Sequence, residues 1–276
     1  MPTRVVVIGI DGATRSGKST LACLLGHLLP ATVIRGDRFW VPRKPIVHSR
    51  RNPGDCFQNW EVPEAVDWES FHLAFLQAVK DLEHSPGTDI VYLVVESFLL
   101  FESAIFRQAC QKKIVLAIPR AVCHDRRMST TRVSPDYFDE VLWPSYLLHA
   151  SKVKKLVDAD PTSYLVLDGK DPIHSLIQLG YTWTTSQPLS PTQLSSIPAS
   201  LLPAASVVHP SAELLPPGGE SDLADYQERV RRAWETYQQD TGPAMPALPE
   251  PADGDGVRTT SVAAAPSAAA YRAGQR

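Results

Sequence analysis

A glycine-rich segment near the start of the chain carries the residues with the clearest chemistry. It fits the pattern GxxxxGK[ST] in full and runs through Gly12, Ala13, Thr14, Arg15, Ser16, Gly17, Lys18, Ser19 and Thr20. Glycines let the backbone turn its N–H groups inward, where they hold phosphate together with the partial positive charge of a helix N-terminus. Lys18 is expected to reach the β- and γ-phosphates of a nucleotide, Ser19 to bind Mg²⁺, and Thr20 to donate to a phosphate oxygen. The segment therefore predicts a phosphate-binding loop.

Two carboxylates follow predicted strands. Asp37 comes just after the second strand, and Glu96 ends the buried run that starts at Ile90. Because the carboxyl ends of parallel strands face the ligand crevice, both side chains should lie near the loop. Asp37 is predicted to accept the proton of an attacking hydroxyl, and Glu96 to stand near Mg²⁺ and the γ-phosphate. A turn-capping role for Asp37 and a solvent-facing Glu96 are the alternatives.

Three arginines lie in a helix-and-loop stretch after the fourth predicted strand: Arg126, Arg127 and Arg132. A closing lid that brings arginines over the transferred phosphate would stabilise its charge and exclude water. An ordinary solvated basic face is the other interpretation. The arginines, together with Asp37 and Glu96, favour a phosphotransferase over other nucleotide-binding proteins. A switch GTPase is disfavoured because the chain lacks an NKxD sequence.

The elements that must position these residues form an α/β pattern. Helical stretches are predicted at Ser19–Leu29 and Val66–Glu83. Five apolar runs predict strands at Val5–Ile10, Thr32–Ile34, Ile90–Val95, Lys113–Ile118 and Tyr164–Leu167. Strands that alternate with helices imply parallel pairing with right-handed crossovers. We expect a P-loop kinase fold with a five-stranded parallel sheet flanked by helices and a small lid.

The composition changes near residue 185 of the 276-residue chain. We expect a catalytic domain over residues 1–185 and a largely disordered tail, rich in Pro, Ser and Ala, over 186–276. One amphipathic stretch, at 221–239, has helical spacing and predicts a helix inside the tail.

Bulk properties exclude several classes of protein. The net charge of -3 and the pI of about 6.2 argue against a nucleic-acid binder. No apolar run approaches the ~20 residues of a membrane span. The four cysteines are scattered without metal-ligand spacing, which fits a reducing compartment. With no secretory signal in the sequence, we expect a cytoplasmic protein, with the nucleus also open.

The chain resembles nicotinamide riboside kinases, and more distantly uridine kinases, over about residues 1 to 183. Beyond the glycine-rich loop, the resemblance is carried by the strings Val95–Phe101 (VESFLLF), Ile118-Pro119 with Cys123 and Arg126-Arg127, Tyr137–Asp139 (YFD), Trp143–Leu147 (WPSYL) and Leu167–Gly169 (LDG). It implies transfer of the γ-phosphate of ATP, with Mg²⁺, to the 5′-hydroxyl of nicotinamide riboside, giving nicotinamide mononucleotide for NAD synthesis.

The resemblance also implies roles for individual residues. Asp37 contacts the ribose and serves as the base, Trp60 stacks on the pyridine ring, and Glu61 binds the ribose hydroxyls. A pyridinium over an indole face is a cation–π contact, worth ~0.5–2 kcal/mol. Five further positions match family residues: Trp40 and Arg127 beside the substrate, Arg126 and Arg132 facing the nucleotide, and Asp168 in the late loop.

The sequence departs from the family on the substrate side. Glu61 stands where the family has Asp, and the lid between Arg132 and Tyr137 is short. Ser134 occupies the place of a second stacking aromatic, and Asp136 is a candidate for a nearby lid carboxylate. Two alternatives remain open: a kinase of another small hydroxyl substrate such as uridine, and a non-catalytic nucleotide-binding regulator. We expect a monomer, and the tail reveals no partner.

Overall fold

The computed structural model describes residues 3–85, 89–130 and 133–202, together with Glu228 and Arg232. Its strands are β1 Arg4–Gly12, β2 Thr32–Arg35, β3 Ile46–His48, β4 Cys56–Gln58, β5 Ile90–Glu96, β6 Lys112–Ala117 and β7 Tyr164–Asp168. Its α-helices are α1 Lys18–Leu28, α2 Trp68–Glu83, α3 Ala104–Ala109, α4 Arg120–Thr130, α5 Pro135–Tyr137, α6 Trp143–Ala159, α7 Ile173–Thr185 and α8 Pro191–Ser195.

Five parallel strands form the central sheet in the order β2-β5-β1-β6-β7. The inner strands are continuous apolar runs, as expected of parallel strands covered on both faces. Ile8 and Ile10 of β1, and Leu93, Val94 and Val95 of β5, are almost fully buried. The predicted five-stranded parallel sheet is therefore confirmed, with strand ends that differ from the prediction by at most two residues.

Helices cover this sheet with their apolar sides. α1 packs against α7, where Leu21 and Leu25 of α1 lie beside Gly180. α2 packs on β1 and β5 through Phe71 and Phe75, which are buried. Asp67 caps α2 by accepting a hydrogen bond from the Ser70 amide, which satisfies one of the free N–H groups of the first turn.

A hairpin and a helical segment face each other beside the sheet. β3 and β4 pair antiparallel, and neither strand is apparent in the sequence pattern. Arg51, in the connection between them, forms ion pairs with Asp136 at 2.9 Å and Asp139 at 3.0 Å. A π-helical turn at Phe138–Leu142 joins α5 to α6. Phe57 of β4 also packs edge to face on Tyr137, at 5.7 Å between ring centroids. Aromatic packing, together with these partly exposed ion pairs, therefore ties the hairpin to the helical segment.

The described chain continues past the predicted domain boundary at residue 185. Ile197 is buried in the core, and Gln193 donates from its Nε2 to the Tyr181 hydroxyl at 2.8 Å. Ser190 and Gln193 form a capping box at the start of α8. Residues 186–202 thus pack on the domain because a few apolar side chains suffice to dock a short segment. The division at 185 stays a prediction.

The rest of the predicted tail lies outside the described residues, apart from two positions. Glu228 and Arg232 are helical and form an ion pair of 2.8 Å at the i,i+4 spacing. Both belong to the predicted 221–239 helix, whose other residues are not described. In the part of the chain that the structure describes, no helix is long and apolar enough to cross a membrane.

Candidate active site

The glycine-rich loop joins the end of β1 to the start of α1. Gly12 has φ +146°, and a Cβ there would lie 2.4 Å from the carbonyl oxygen of Leu116 on β6. Gly17, with φ +105°, has open space where a side chain would be, and Arg15 between them is also left-handed, with φ 59°. Only glycine fits the first position, because β6 approaches too closely for any side chain.

The interior of the loop presents donors that suit a phosphate. The Lys18 side chain is buried, and its Nζ donates to the Ala13 carbonyl at 2.8 Å. The Ser16 hydroxyl is fully buried and has no hydrogen-bond partner among the described residues. A buried hydroxyl without a partner is costly, so an anion accepted by this loop would satisfy it. The predicted phosphate-binding residues are thus brought together around one concave backbone segment.

Ser19 and Glu96 meet at the carboxyl ends of β1 and β5. The Ser19 hydroxyl donates to Glu96 Oε1 at 3.0 Å. Burial raises the pKa of Glu96, Lys18 opposes that shift, and Asp37 adds to it. Oxygen donors of this kind are those that Mg²⁺ prefers. No group of three or more His, Cys, Asp or Glu side chains suited to a metal occurs in the described part of the chain.

A cavity of about 370 Å³ opens in front of the loop. Most of its walls are predicted site residues: Thr14, Arg15, Lys18, Ser19, Asp37, Trp40, Trp60, Glu61 and Arg127, with Phe98 in addition. The prediction from sequence did not include Phe98, although it follows Glu96 by two residues and belongs to the VESFLLF string. One cavity therefore contains the phosphate loop, the predicted base and the predicted substrate aromatics.

Aromatic side chains and a buried acid form the far side of this cavity. Trp40 contacts Trp60 edge to face, at 5.3 Å between ring centroids, and Phe98 at 5.4 Å. Glu61 is buried and accepts a hydrogen bond of 3.3 Å from the Tyr137 hydroxyl. Burial raises the pKa of Glu61 to about 7, against the opposing effect of Arg127 and the Tyr137 hydrogen bond. This acid is therefore only partly ionised near neutral pH.

A second cavity, of about 460 Å³, adjoins the first and shares Trp60 and Arg127 with it. Its remaining walls come from β4, from α5 and from the two residues before α5: Cys56, Phe57, Gln58, Val133, Ser134 and Tyr137. Ser134 lies here, where the resemblance led us to expect an aromatic side chain. The small hydroxymethyl group leaves this space open.

The lid arginines lie on α4 and contact the loop. Arg127 donates from Nη1 to the Thr14 hydroxyl at 3.3 Å, and Arg126 donates to the Gly169 carbonyl at 2.8 Å and the Arg15 carbonyl at 3.3 Å. Arg127 lines both cavities, whereas Arg126 bridges the loop and the segment after β7. Arg132, the third predicted lid arginine, lies outside the described residues.

Two predicted binding residues are engaged elsewhere. Asp136 pairs with Arg51 and accepts a hydrogen bond from Asn52 at 3.2 Å. Asp168 is buried beside Lys170, whose Nζ lies 3.1 Å from its carboxylate. Neither is among the residues that line the two cavities. In the structure Asp136 ties the hairpin to α5, and the predicted binding roles of Asp136 and Asp168 stay predictions.

A buried ionic network behind the loop was missed from the sequence. His149 on α6 lies between Asp11, at 2.9 Å from Nε2, and Glu102, at 3.1 Å from Nδ1. Lys152 pairs with Glu102 at 3.0 Å, and Asp11 also accepts from the Phe101 amide. Burial alone would lower the pKa of His149, but the two carboxylates raise it to about 9. A charged imidazolium thus holds β1, just before Gly12, against α6.

Replacing His149 with asparagine is expected to remove a pH-dependent part of the stability. The folded-state pKa of about 9 lies above the ordinary 6.5. Protonated His149 therefore stabilises the fold fully below pH 6.5, and this contribution is lost as the pH rises through about 9. At about 1.4 kcal/mol per pKa unit, the loss approaches about 3 kcal/mol. Urea unfolding of both proteins between about pH 6 and pH 10 measures it, and equal pH slopes would contradict the assignment.

The fold and the site together define a class of protein. The components of a P-loop kinase are all present. They are a parallel sheet with a strand–glycine loop–helix unit at its centre, a Ser19–Glu96 pair compatible with a metal ion, and arginines above the loop. The class was predicted from sequence, and the structure brings its separate components to one edge of the sheet.

Comparison with known proteins gives the family. Nicotinamide riboside kinase 2 of Mus musculus is 32% identical over 179 residues, covering 59% of this chain and 87% of the relative. Nicotinamide riboside kinase 1 of Homo sapiens is 32% identical over 166 residues, covering 55% of this chain and 80% of the relative. The chain belongs to the nicotinamide riboside kinase family, as the sequence strings predicted.

Comparisons with family models and with solved structures add little to this family assignment. No protein-family model matches the chain. Among solved structures, a possible uridine kinase from Bacillus stearothermophilus aligns with a TM-score of 0.37 at 19% identity, covering 61% of this chain and 90% of that chain. The matched relatives cover little more than half of the chain.

Proposed function

We propose that the protein transfers the γ-phosphate of ATP to the 5′-hydroxyl of nicotinamide riboside, forming nicotinamide mononucleotide. The observation that carries the proposal is the single cavity that joins the phosphate loop to a carboxylate, an indole and a buried acid. The relatives named above support the choice of substrate. The product is a precursor of NAD, which gives the enzyme a place in pyridine nucleotide synthesis.

The roles that we propose divide the cavity into two halves. In the phosphate half, Lys18, the Ser16 hydroxyl and the loop amides bind the phosphates of ATP, and Arg127 reaches over them from α4. In the substrate half, Asp37 accepts the proton of the 5′-hydroxyl, and Glu61 accepts hydrogen bonds from the ribose hydroxyls. Catalysis would then consist mainly of positioning and electrostatic stabilisation of the transferred phosphoryl group.

Trp60 and Trp40 would supply the surface for the base. An indole face attracts a cationic ring through its quadrupole, and Trp60 lines both cavities. A ribose that spans from Asp37 to Glu61 would leave its base beside Trp60. The proposal therefore places the base next to the second cavity, where Ser134 and Tyr137 lie.

Mg²⁺ fits the Ser19–Glu96 pair, since both side chains offer an oxygen ligand and Mg²⁺ completes its coordination shell with waters and phosphate oxygens. Ser19 would bind the ion, and Glu96 would bind it or one of its waters. The ion would supply charge neutralisation at the phosphates. We further propose a cytoplasmic enzyme, because all four cysteines are free thiols in the structure.

A substrate panel tests the proposed function. The full-length protein is incubated with ATP and Mg²⁺ and, in separate reactions, with nicotinamide riboside, uridine, cytidine and simple sugars, and the ADP formed is measured. We expect nicotinamide riboside to give the highest kcat/KM, with mass spectrometry showing nicotinamide mononucleotide as the product. A higher kcat/KM for uridine would replace the substrate but keep the kinase. Tight ATP binding with no turnover of any acceptor would support a non-catalytic regulator instead.

A further inference from the structure

Lys44 lies over the aromatic surface of the substrate half. Its ammonium nitrogen is 3.7 Å from the centroid of the Trp60 ring. Lys44 belongs to the segment between the 3₁₀ turn at Gly36–Arg38 and β3, and it is only partly exposed. Trp60 itself is 37% exposed. The ring that we propose as the stacking surface for the base thus already carries a cation supplied by the protein.

This contact makes the charge of the incoming base important. A ring face attracts one cation, and a second cation must either displace the first or lie on the opposite face with a like charge across the ring. A pyridinium that stacks on Trp60 meets this penalty in either position. A base of the same outline that carries a compensating negative group would avoid it, because its anion can pair with the ammonium of Lys44.

The charges near Trp60 do not remove the penalty that Lys44 imposes on a cationic base. Arg127 lines both cavities with Trp60 and adds a second positive group. Glu61 follows Trp60 directly in the chain, but its pKa of about 7 leaves its negative charge incomplete at neutral pH. Asp37 lies in the same cavity as the phosphate loop, where the positive charges of Lys18 and Arg15 offset its negative charge. The surroundings of the Trp60 ring therefore remain cationic.

We propose that Lys44 is a specificity-determining residue that disfavours a cationic base and favours a base of the same shape with an anionic substituent. The inference rests on the proposed function, because it concerns the base that occupies the same site. Two ribosides form a matched pair of probes: nicotinamide riboside, with an uncharged carboxamide on its pyridinium, and nicotinic acid riboside, with a carboxylate at the same position. Lys44 should raise the preference for the second over the first.

The experiment compares kcat/KM for the two ribosides in the parent and in Lys44→Met. We expect Lys44→Met to lower the KM for nicotinamide riboside by about 3- to 10-fold, as expected when one cation–π competitor is lost. The KM for nicotinic acid riboside should rise, and kcat should stay within about 2-fold for both, since Lys44 does not line the phosphate half. Lys44→Arg should keep the parent preference, because guanidinium also stacks on indole.

A matched control is Arg43→Met, which removes the neighbouring exposed cation and should leave the ratio of the two kcat/KM values unchanged. Thermal unfolding checks that the variants fold. Lys44→Glu is a second test variant, and it should shift the ratio of the two kcat/KM values in the same direction as Lys44→Met. If the parent turns over both ribosides and Lys44→Met leaves their ratio unchanged, the role of Lys44 is overturned while the kinase stands. If the parent turns over neither riboside, the proposed function fails and the inference fails with it.

Discussion

Replacing Lys18 with alanine is expected to abolish phosphoryl transfer, with kcat/KM at least about 10³-fold lower. The lysine is the one buried ammonium among the residues that line the first cavity, and its Nζ is held inside the loop by the Ala13 carbonyl. Its charge would stabilise the transferred phosphoryl group where water is excluded, which is where such interactions have their largest effect. Steady-state kinetics with ATP and nicotinamide riboside measures the loss.

The control for this variant is Lys80→Ala, which removes an exposed lysine on α2 and should retain parent kinetics. Circular dichroism and thermal unfolding of Lys18→Ala should stay close to the parent, because alanine keeps the helix start intact. Near-normal turnover by a folded Lys18→Ala protein would rule out the phosphate-loop assignment. A protein that loses turnover only by unfolding would be recognised by its lowered melting temperature.

Replacing Asp37 with asparagine should lower kcat by about 10²- to 10⁴-fold, the range for a positioned general base. Asparagine keeps the shape of the side chain but cannot accept the proton. Asp37 follows β2 and lines the cavity with Lys18 and Ser19, so it can reach a hydroxyl brought towards the γ-phosphate. The affinity for ATP should change by less than about 3-fold, because phosphate binding depends on the loop.

Asp89→Asn is the matched control, since Asp89 is an exposed acid at the start of β5, at the strand end remote from Glu96. Its kcat should match the parent. Single-turnover experiments separate the chemical step from product release in both variants. A parent-like kcat for Asp37→Asn would remove Asp37 as the base. A loss of ATP affinity as large as the loss of kcat would make Asp37 a nucleotide-binding residue instead.

The central part of the fold could be predicted because each strand has a local signature. Runs such as Val5–Ile10 and Ile90–Val95 are apolar at every position, which is typical of strands covered on both faces. Alternation with helical stretches then leaves parallel pairing as the simplest connection. The exact end of β1 at Gly12 depends on pairing with β6 and was not fixed by composition.

The β3–β4 hairpin could not be predicted, because its strands have no local signature in the sequence. Each of its strands has three residues, and neither Ile46–His48 nor Cys56–Gln58 has enough alternation to distinguish it from a loop. It is tied to the rest of the fold by Phe57, which packs on Tyr137, by Arg51, and by Ser49, whose hydroxyl donates to Glu140 at 3.0 Å. Contacts between residues some 90 positions apart leave no periodic signal in a sequence.

Much of the candidate site was within reach of sequence reasoning, because motif residues lie at strand ends. Glu96 ends a strand, Asp37 follows one, and Lys18 and Ser19 open a helix. Parallel strands bring such positions to one edge of the sheet. Trp60 came from the family resemblance alone, as it lies in a loop without local periodicity. Lys44 gave no signal at all, because only the folded chain brings it to the Trp60 ring.

The buried network of Asp11, Glu102 and His149 has a consequence for how this sequence can change over evolutionary time. Asp11 and His149 are the buried pair of this network. Losing either one leaves its partner buried without that compensating charge, which costs about 3–5 kcal/mol, whereas replacing both by well-packed apolar groups can be neutral. Their effects are therefore strongly non-additive. We therefore expect Asp11 and His149 to change together, which makes the strand that leads into the phosphate loop and α6 evolve in a coupled way.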